Sequence, residues 1–212
     1  APPGCPVATN TSGAPPDFAA RAADPAYGAH LPNGKIYQGP ALLKFAGYAT
    51  DKGGVPTFRY SLQPDTPDKV TVSERMEPLR SPVAVGVARR FRLDLPARQT
   101  AWLLAAEAVR EPRLLDDKGA HLPLDLKAGK AEFDPAGRLL VLPQREDRVA
   151  VLALTAAPAG SRWALQRVGG NWQAVLRVPP ATEATKAEVG INVWVPYRDE
   201  PGLLKELVTQ KK

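Results

Sequence analysis

Apolar and polar residues alternate along short stretches of this 212-residue chain, with a period of two rather than the three to four of a helix. Phe58, Tyr60 and Leu62 alternate with Arg59, Ser61 and Gln63, and Phe91, Leu93 and Leu95 alternate with Arg90, Arg92 and Asp94. A strand points successive side chains to opposite faces, so these runs predict half-buried β-strands. Val70 and Val72, alternating with Thr71 and Ser73, predict another, reached through a Gln63–Asp68 turn that holds two prolines. Thr100–Ala108 is more uniformly apolar. Its alanines would suit a helix, but the short span between turn signals favours a strand buried on both faces.

The same scheme continues to the C-terminal end. His121–Lys127 alternates weakly, Leu139–Leu142 follows the turn Asp134-Pro135-Ala136-Gly137, and Val149–Leu154 is a further run. Trp163–Val168 and Trp172–Val178 flank Gly169-Gly170-Asn171, residues that tolerate positive φ and so predict a hairpin. Ile191, Val193 and Val195 alternate with Asn192, Trp194 and Pro196. About eight to ten short strands divided by turn signals predict an all-β antiparallel sandwich, in one domain over residues 27–199. Residues 1–26 are proline-rich and predict a flexible arm, with Asp17 placed to cap a turn or two of helix to Ala23. Residues 27–56 form a loop-rich lead-in whose apolar patch, Ala41–Tyr48, lays one strand against the main sheet. Residues 200–212 predict a helical tail, with Pro201 in the first turn and Leu203, Leu204 and Leu207 on one face.

Composition narrows the chemistry. Two histidines, one cysteine and one methionine stand against 23 prolines. Catalysis near neutral pH draws mostly on groups that titrate there, on metals or on activated nucleophiles, so the inventory favours a non-catalytic role. One cysteine, Cys5, allows no intrachain disulfide, and no Cys/His metal site or cofactor motif is recognisable. The opening Ala-Pro-Pro-Gly-Cys-Pro resembles an N-terminus left by signal removal. Pro2-Pro3-Gly4 matches the cleavage box of a lipid anchor poorly, so a free thiol is expected at Cys5. The net charge of +6 is spread among acids, without the basic stripe and interleaved aromatics that nucleic-acid binding requires. No apolar run has membrane-spanning length.

Lys52-Gly53-Gly54-Val55-Pro56-Thr57-Phe58-Arg59-Tyr60, followed by a strand with Val70, Val72 and Glu74, then Arg89-Arg90-Phe91-Arg92-Leu93 and Ala101-Trp102-Leu103-Leu104-Ala105-Ala106, resembles a β-sandwich segment of exported bacterial proteins. In those planctomycete- and verrucomicrobial-type proteins it lies beside c-type cytochrome and sorbosone-dehydrogenase-like domains. The resemblance covers residues 40–155. It implies a periplasmic or secreted protein, with a cytochrome or dehydrogenase as partner and a fold in the manner of the galactose-mutarotase supersandwich. The chain has no Cys-x-x-Cys-His for covalent haem, and the His/Glu set of active mutarotases is not visible.

Candidate binding residues follow from residue type. Trp163 and Trp172 bracket one hairpin and could stack on a sugar ring, with Asn171 as a hydrogen-bonding neighbour, although tryptophan in a sandwich is more often core. Arg59, Arg89 and Arg90 could line a sheet face for an anionic partner, or simply be solvated. His30 and His121 are isolated from each other, and acids such as Asp116, Asp134 and Glu146 fall in turns. The expected function is therefore an exported, non-catalytic binding module or accessory subunit of a periplasmic oxidoreductase system, making protein–protein contacts. Carbohydrate binding, or a mutarotase-like activity using a histidine with an acid, is the alternative.

Overall fold

The computed structural model describes residues 6–18, 43–63, 65–145, 148–197 and 206–207. Fourteen strands lie among them. They are β1 (Val7–Asn10), β2 (Leu43–Thr50), β3 (Pro56–Leu62), β4 (Val70–Arg80), β5 (Ala84–Leu95), β6 (Thr100–Ala108) and β7 (Arg113–Leu115), followed by β8 (His121–Leu122), β9 (Lys130–Phe133), β10 (Leu139–Pro143), β11 (Val149–Ala156), β12 (Arg162–Val168), β13 (Asn171–Val178) and β14 (Thr185–Pro196). A smaller sheet runs β1-β6-β13-β12-β9 and a larger one β2-β3-β4-β5-β14-β11-β10-β7-β8. Leu103, Trp163, Leu165 and Leu176 of the smaller sheet share one core with Phe91, Leu93, Leu152 and Ile191 of the larger. This is the antiparallel sandwich that the period of two predicts.

Each sheet also covers part of its outer face. Trp102, which alternates with core residue Leu103, packs outside the smaller sheet with Ala8, Phe18 and Val175, and its Nε1 donates to Asn10 Oδ1 at 3.2 Å. Thr100–Ala108 is thus a strand buried on both sides. Outside the larger sheet, Leu139, Val141, Val151 and Trp194 form a patch that takes Leu207, from the helical turn at 206–207. The remaining outward part of the larger sheet is polar.

Three expectations change. The stretch read as a flexible arm contains β1, whose residues pair with Thr100–Leu103 and bury Val7 and Ala8. Its prolines stand at positions 2, 3 and 6 and again at 15, 16 and 25, so they flank a proline-free run rather than interrupt it. Arg113–Leu115 and Lys130–Phe133 are strands too short to display a period. At the hairpin, Gly169 and Gly170 alone form the loop, both at positive φ (57° and 89°), while Asn171 opens β13. Two consecutive positive φ values fit the tight primed turn that matches strand twist. Cys5, His30, most of the Asp17–Ala23 turn, and Leu203 and Leu204 of the tail lie outside the described residues.

Gly86 has a packing role. It pairs with Trp194 across β5 and β14, and a Cβ there would collide with the Val193 carbonyl oxygen and meet the Trp194 ring at 3.1 Å. Gly86→Ala is expected to cost about 1–3 kcal/mol, the usual range for overpacking, seen as a lower urea midpoint at unchanged slope. An unchanged midpoint would contradict the packing of Trp194 against this glycine.

Candidate functional site

Alternation divides the arginines of β5 between two environments. Arg89 and Phe91 point into the sandwich, while Arg90 and Arg92 point outward. Inside, Arg89 Nε donates to Glu74 Oε1 at 2.7 Å, and Arg89 Nη1 donates to the carbonyls of Leu104 and Ala105 at 3.3 and 3.1 Å. The guanidinium lies 5.0 Å from the centre of the Phe91 ring. These carbonyls belong to β6, in the opposite sheet, at a bulge where Leu104 and Ala106 pair with consecutive residues Val175 and Ala174. Arg89 therefore joins the two sheets. Glu74 is only 1% exposed, and burial raises its carboxyl above the usual range, against the lowering effect of Arg89.

Outside, the ladder aligns three polar rows across β3, β4, β5 and β14. Thr57, Arg75, Arg90 and Gly190 form one, Arg59, Ser73, Arg92 and Glu188 the next, and Ser61, Thr71, Asp94 and Lys186 the third. An open hollow of about 490 Å³ lies over the first two rows, bordered by Thr57, Ser73, Arg75, Arg90, Arg92 and Glu188 with Gly190 at its base. A Cβ at Gly190 would collide with Thr155 Oγ1 and come within 3.3 Å of Arg90 Nη1. The missing side chain is part of what makes the hollow.

The cations of the hollow differ in their commitments. Arg75 is held by Asp51 and Glu77, each at 2.6 Å. The Asp51 carboxyl sits below its usual range, first through the Val55 backbone N–H and then through Arg75. Arg92 meets Glu188 at 3.1 Å with both side chains largely in solvent, a pair that a ligand can displace at little cost. Arg90 Nη1 donates to the neutral Asn192 Oδ1 at 3.0 Å, and no ion pair of Arg90 or Arg59 with a carboxylate occurs among the described residues. A guanidinium at the edge of a hollow, with a neutral neighbour and hydroxyls nearby, is suited to bind a carboxylate, sulfate or phosphate group.

The residues singled out from sequence do not converge. Arg59 and Arg90 share the outer face. Arg89 does not, because strand neighbours cannot face the same way, and its donors serve Glu74 and β6. Trp163 and Trp172 are 0% and 3% exposed and lie in the inter-sheet core, which corrects the stacking platform: no ring face is open to a sugar. Asn171 is exposed at the hairpin, in the other sheet. His121 is exposed on β8, and no cluster of histidine, cysteine and acids suited to a metal occurs among the described residues. Asp116 and Asp134 accept backbone N–H bonds within their turns. Arg75, Ser73, Gly190 and Asn192 were not singled out, although the Val70/Val72 alternation already sets Ser73 outward and two further residues set Arg75 outward with it.

No protein-family model and no curated protein sequence matches this chain. Among solved structures it is similar to the crystal structure of heparan sulfate lyase HepC from Pedobacter heparinus, with a TM-score of 0.40 and 8% identity, over 86% of this chain and 27% of that one. The chain thus spans little more than a quarter of that protein's length.

The split between Arg89 and Arg90 is open to test. Arg89→Met leaves Glu74 buried without its counter-ion and is expected to cost about 3–5 kcal/mol near neutral pH. Arg90→Met, on the solvent face, is expected to stay within about 0.5 kcal/mol of wild type. The fold favours protonated Glu74, so that contribution is complete below the unfolded value near 4.5 and is lost as pH rises through the folded value. Removing Arg89 raises the folded value further, so the Arg89→Met deficit should shrink on acidification. Equal costs for the two variants, or a deficit independent of pH, would contradict the burial of the pair.

Proposed function

We propose that this protein is a non-catalytic binding module whose ligand surface is the arginine-bordered hollow on the outer face of its larger sheet. The supporting observation is that Arg90, beside Gly190 and Asn192, presents a guanidinium to an open hollow while the acids nearby are engaged with Arg75 and Arg92. A ligand carrying carboxylate or sulfate would gain a charge-assisted pair there without having to break an ion pair first. The sequence resemblance supports extending the reading to an exported protein working beside a periplasmic cytochrome or dehydrogenase, as an accessory subunit. The hydroxyls of Thr57 and Ser73 favour a hydroxyl-bearing, carbohydrate-type ligand over a purely apolar one.

Titration with sulfate and with galacturonate, followed on the arginine Nε–H resonances, is the direct check. Arg90 is expected to shift saturably, and Arg90→Ala to weaken binding about tenfold or more, since a hydrogen bond to a charged group is worth about 1.5–3 kcal/mol. Failure of both anions to bind, or binding unaffected by Arg90→Ala, would overturn the assignment.

A further inference from the structure

Resting on the reading that the Arg90 hollow is the ligand surface, we infer that its ligand is an acidic polysaccharide lying across several strands, rather than a single small anion. The cations of this face extend well past the hollow. On β5, Arg90 and Arg92 are two residues apart, about 6.7 Å at the rise of a strand. Arg59 stands in the Arg92 row, two strands away through Ser73, about 10 Å across the sheet. Lys44 on β2 pairs with Ser61, and Lys186 on β14 pairs with Asp94, which places a cation at each side of the third row. Lys44, Arg59, Arg92 and Lys186 are all exposed.

Between these cations the outward positions carry the short hydroxyl side chains Thr57, Ser61, Thr71 and Ser73 and two acids, Asp94 beside Lys186 and Glu188 beside Arg92. Charges separated by hydroxyls suit a polymer whose acid groups alternate with sugar hydroxyls. No aromatic side chain occupies the outward register positions of β3, β4, β5 or β14 in these three rows. Single-stranded nucleic acid is bound largely by stacking its bases on such rings, and neutral sugars also favour aromatic faces, so charge and hydroxyl contacts must select the ligand here. Across this face Arg75 and Asp51 are already held in place by their ion pair, which limits the side-chain ordering that binding would require.

The experiment measures the affinity of the full chain for di-, tetra- and octagalacturonate by calorimetry, with linear polyphosphate of matched charge as a probe lacking sugar hydroxyls. Affinity should rise from the dimer to the octamer by about tenfold or more, the worth of one added charge-assisted contact. Arg59→Ser should remove most of that gain while leaving the dimer's affinity unchanged, and circular dichroism would confirm that the variant is folded. A dimer that binds as tightly as the octamer would overturn the polymer inference and leave the single-anion reading standing. No binding by any galacturonate would overturn the polymer inference, and the single-anion reading with it if sulfate also fails to bind. Polyphosphate binding as tightly as the octamer would overturn selection of a saccharide.

Discussion

A bulge in the smaller sheet turns the carbonyls of two successive residues, Leu104 and Ala105, toward one partner, and buried carbonyls must be satisfied. The partner is Arg89 of the opposite sheet, which reaches both. A guanidinium placed there needs a counter-charge, and Glu74, beside it on β4, supplies one at 2.7 Å. Sheet-to-sheet packing is otherwise largely apolar, apart from the Val109 N–H to Pro143 carbonyl and Gln144 to Glu107 carbonyl bonds where β6 and β10 end. The chain of contacts through Arg89 helps fix which strand of one sheet meets which of the other. It is kept at a cost, because burial works against the ionised carboxylate. Polar contacts of this kind set the register of the sandwich more than they add to its stability.

With Arg89 inward, the remainder of β5 follows by alternation, and so does the candidate ligand face. Phe91, Leu93 and Leu95 fill the core, while Arg90, Arg92 and Asp94 meet solvent beside the outward residues of β4 and β14. The outer face of the larger sheet is then divided in two. Around Trp194 it is apolar and receives Leu207. Beyond Asn192 it becomes polar, and Gly190 opens a hollow where any side chain would press on Thr155 and Arg90. One face thus serves both to seat the C-terminal turn and to present charge.

The fold class was legible because period-two alternation is written into the long strands, and the hairpin because Gly169 and Gly170 meet the positive-φ demand of a tight turn. β7 and β9 were not legible, being too short to show a period, and β1 was hidden by the proline content around it. The site was only partly legible. Arg59 and Arg90 were recognised as residue types suited to anions, but grouping Arg89 with them ignored the alternation that identified the strand. Trp163 and Trp172 carry no local mark of burial, since the partner sheet that covers them is contributed by distant segments. Asn192 gains its meaning from Arg90, 102 positions away, and Gly190 from Arg90 and Thr155, contacts that no local pattern marks.

Arginine-selective labelling of the folded protein with phenylglyoxal, read out by mass spectrometry with and without octagalacturonate, addresses the division of β5 most directly. Arg59, Arg90 and Arg92 should react and be protected by the saccharide, and Arg89 should stay unlabelled until the protein is unfolded. Labelling of Arg89 at the rate of Arg90 would show that the two arginines share a surface, and the sheet-joining role of Arg89 would be wrong.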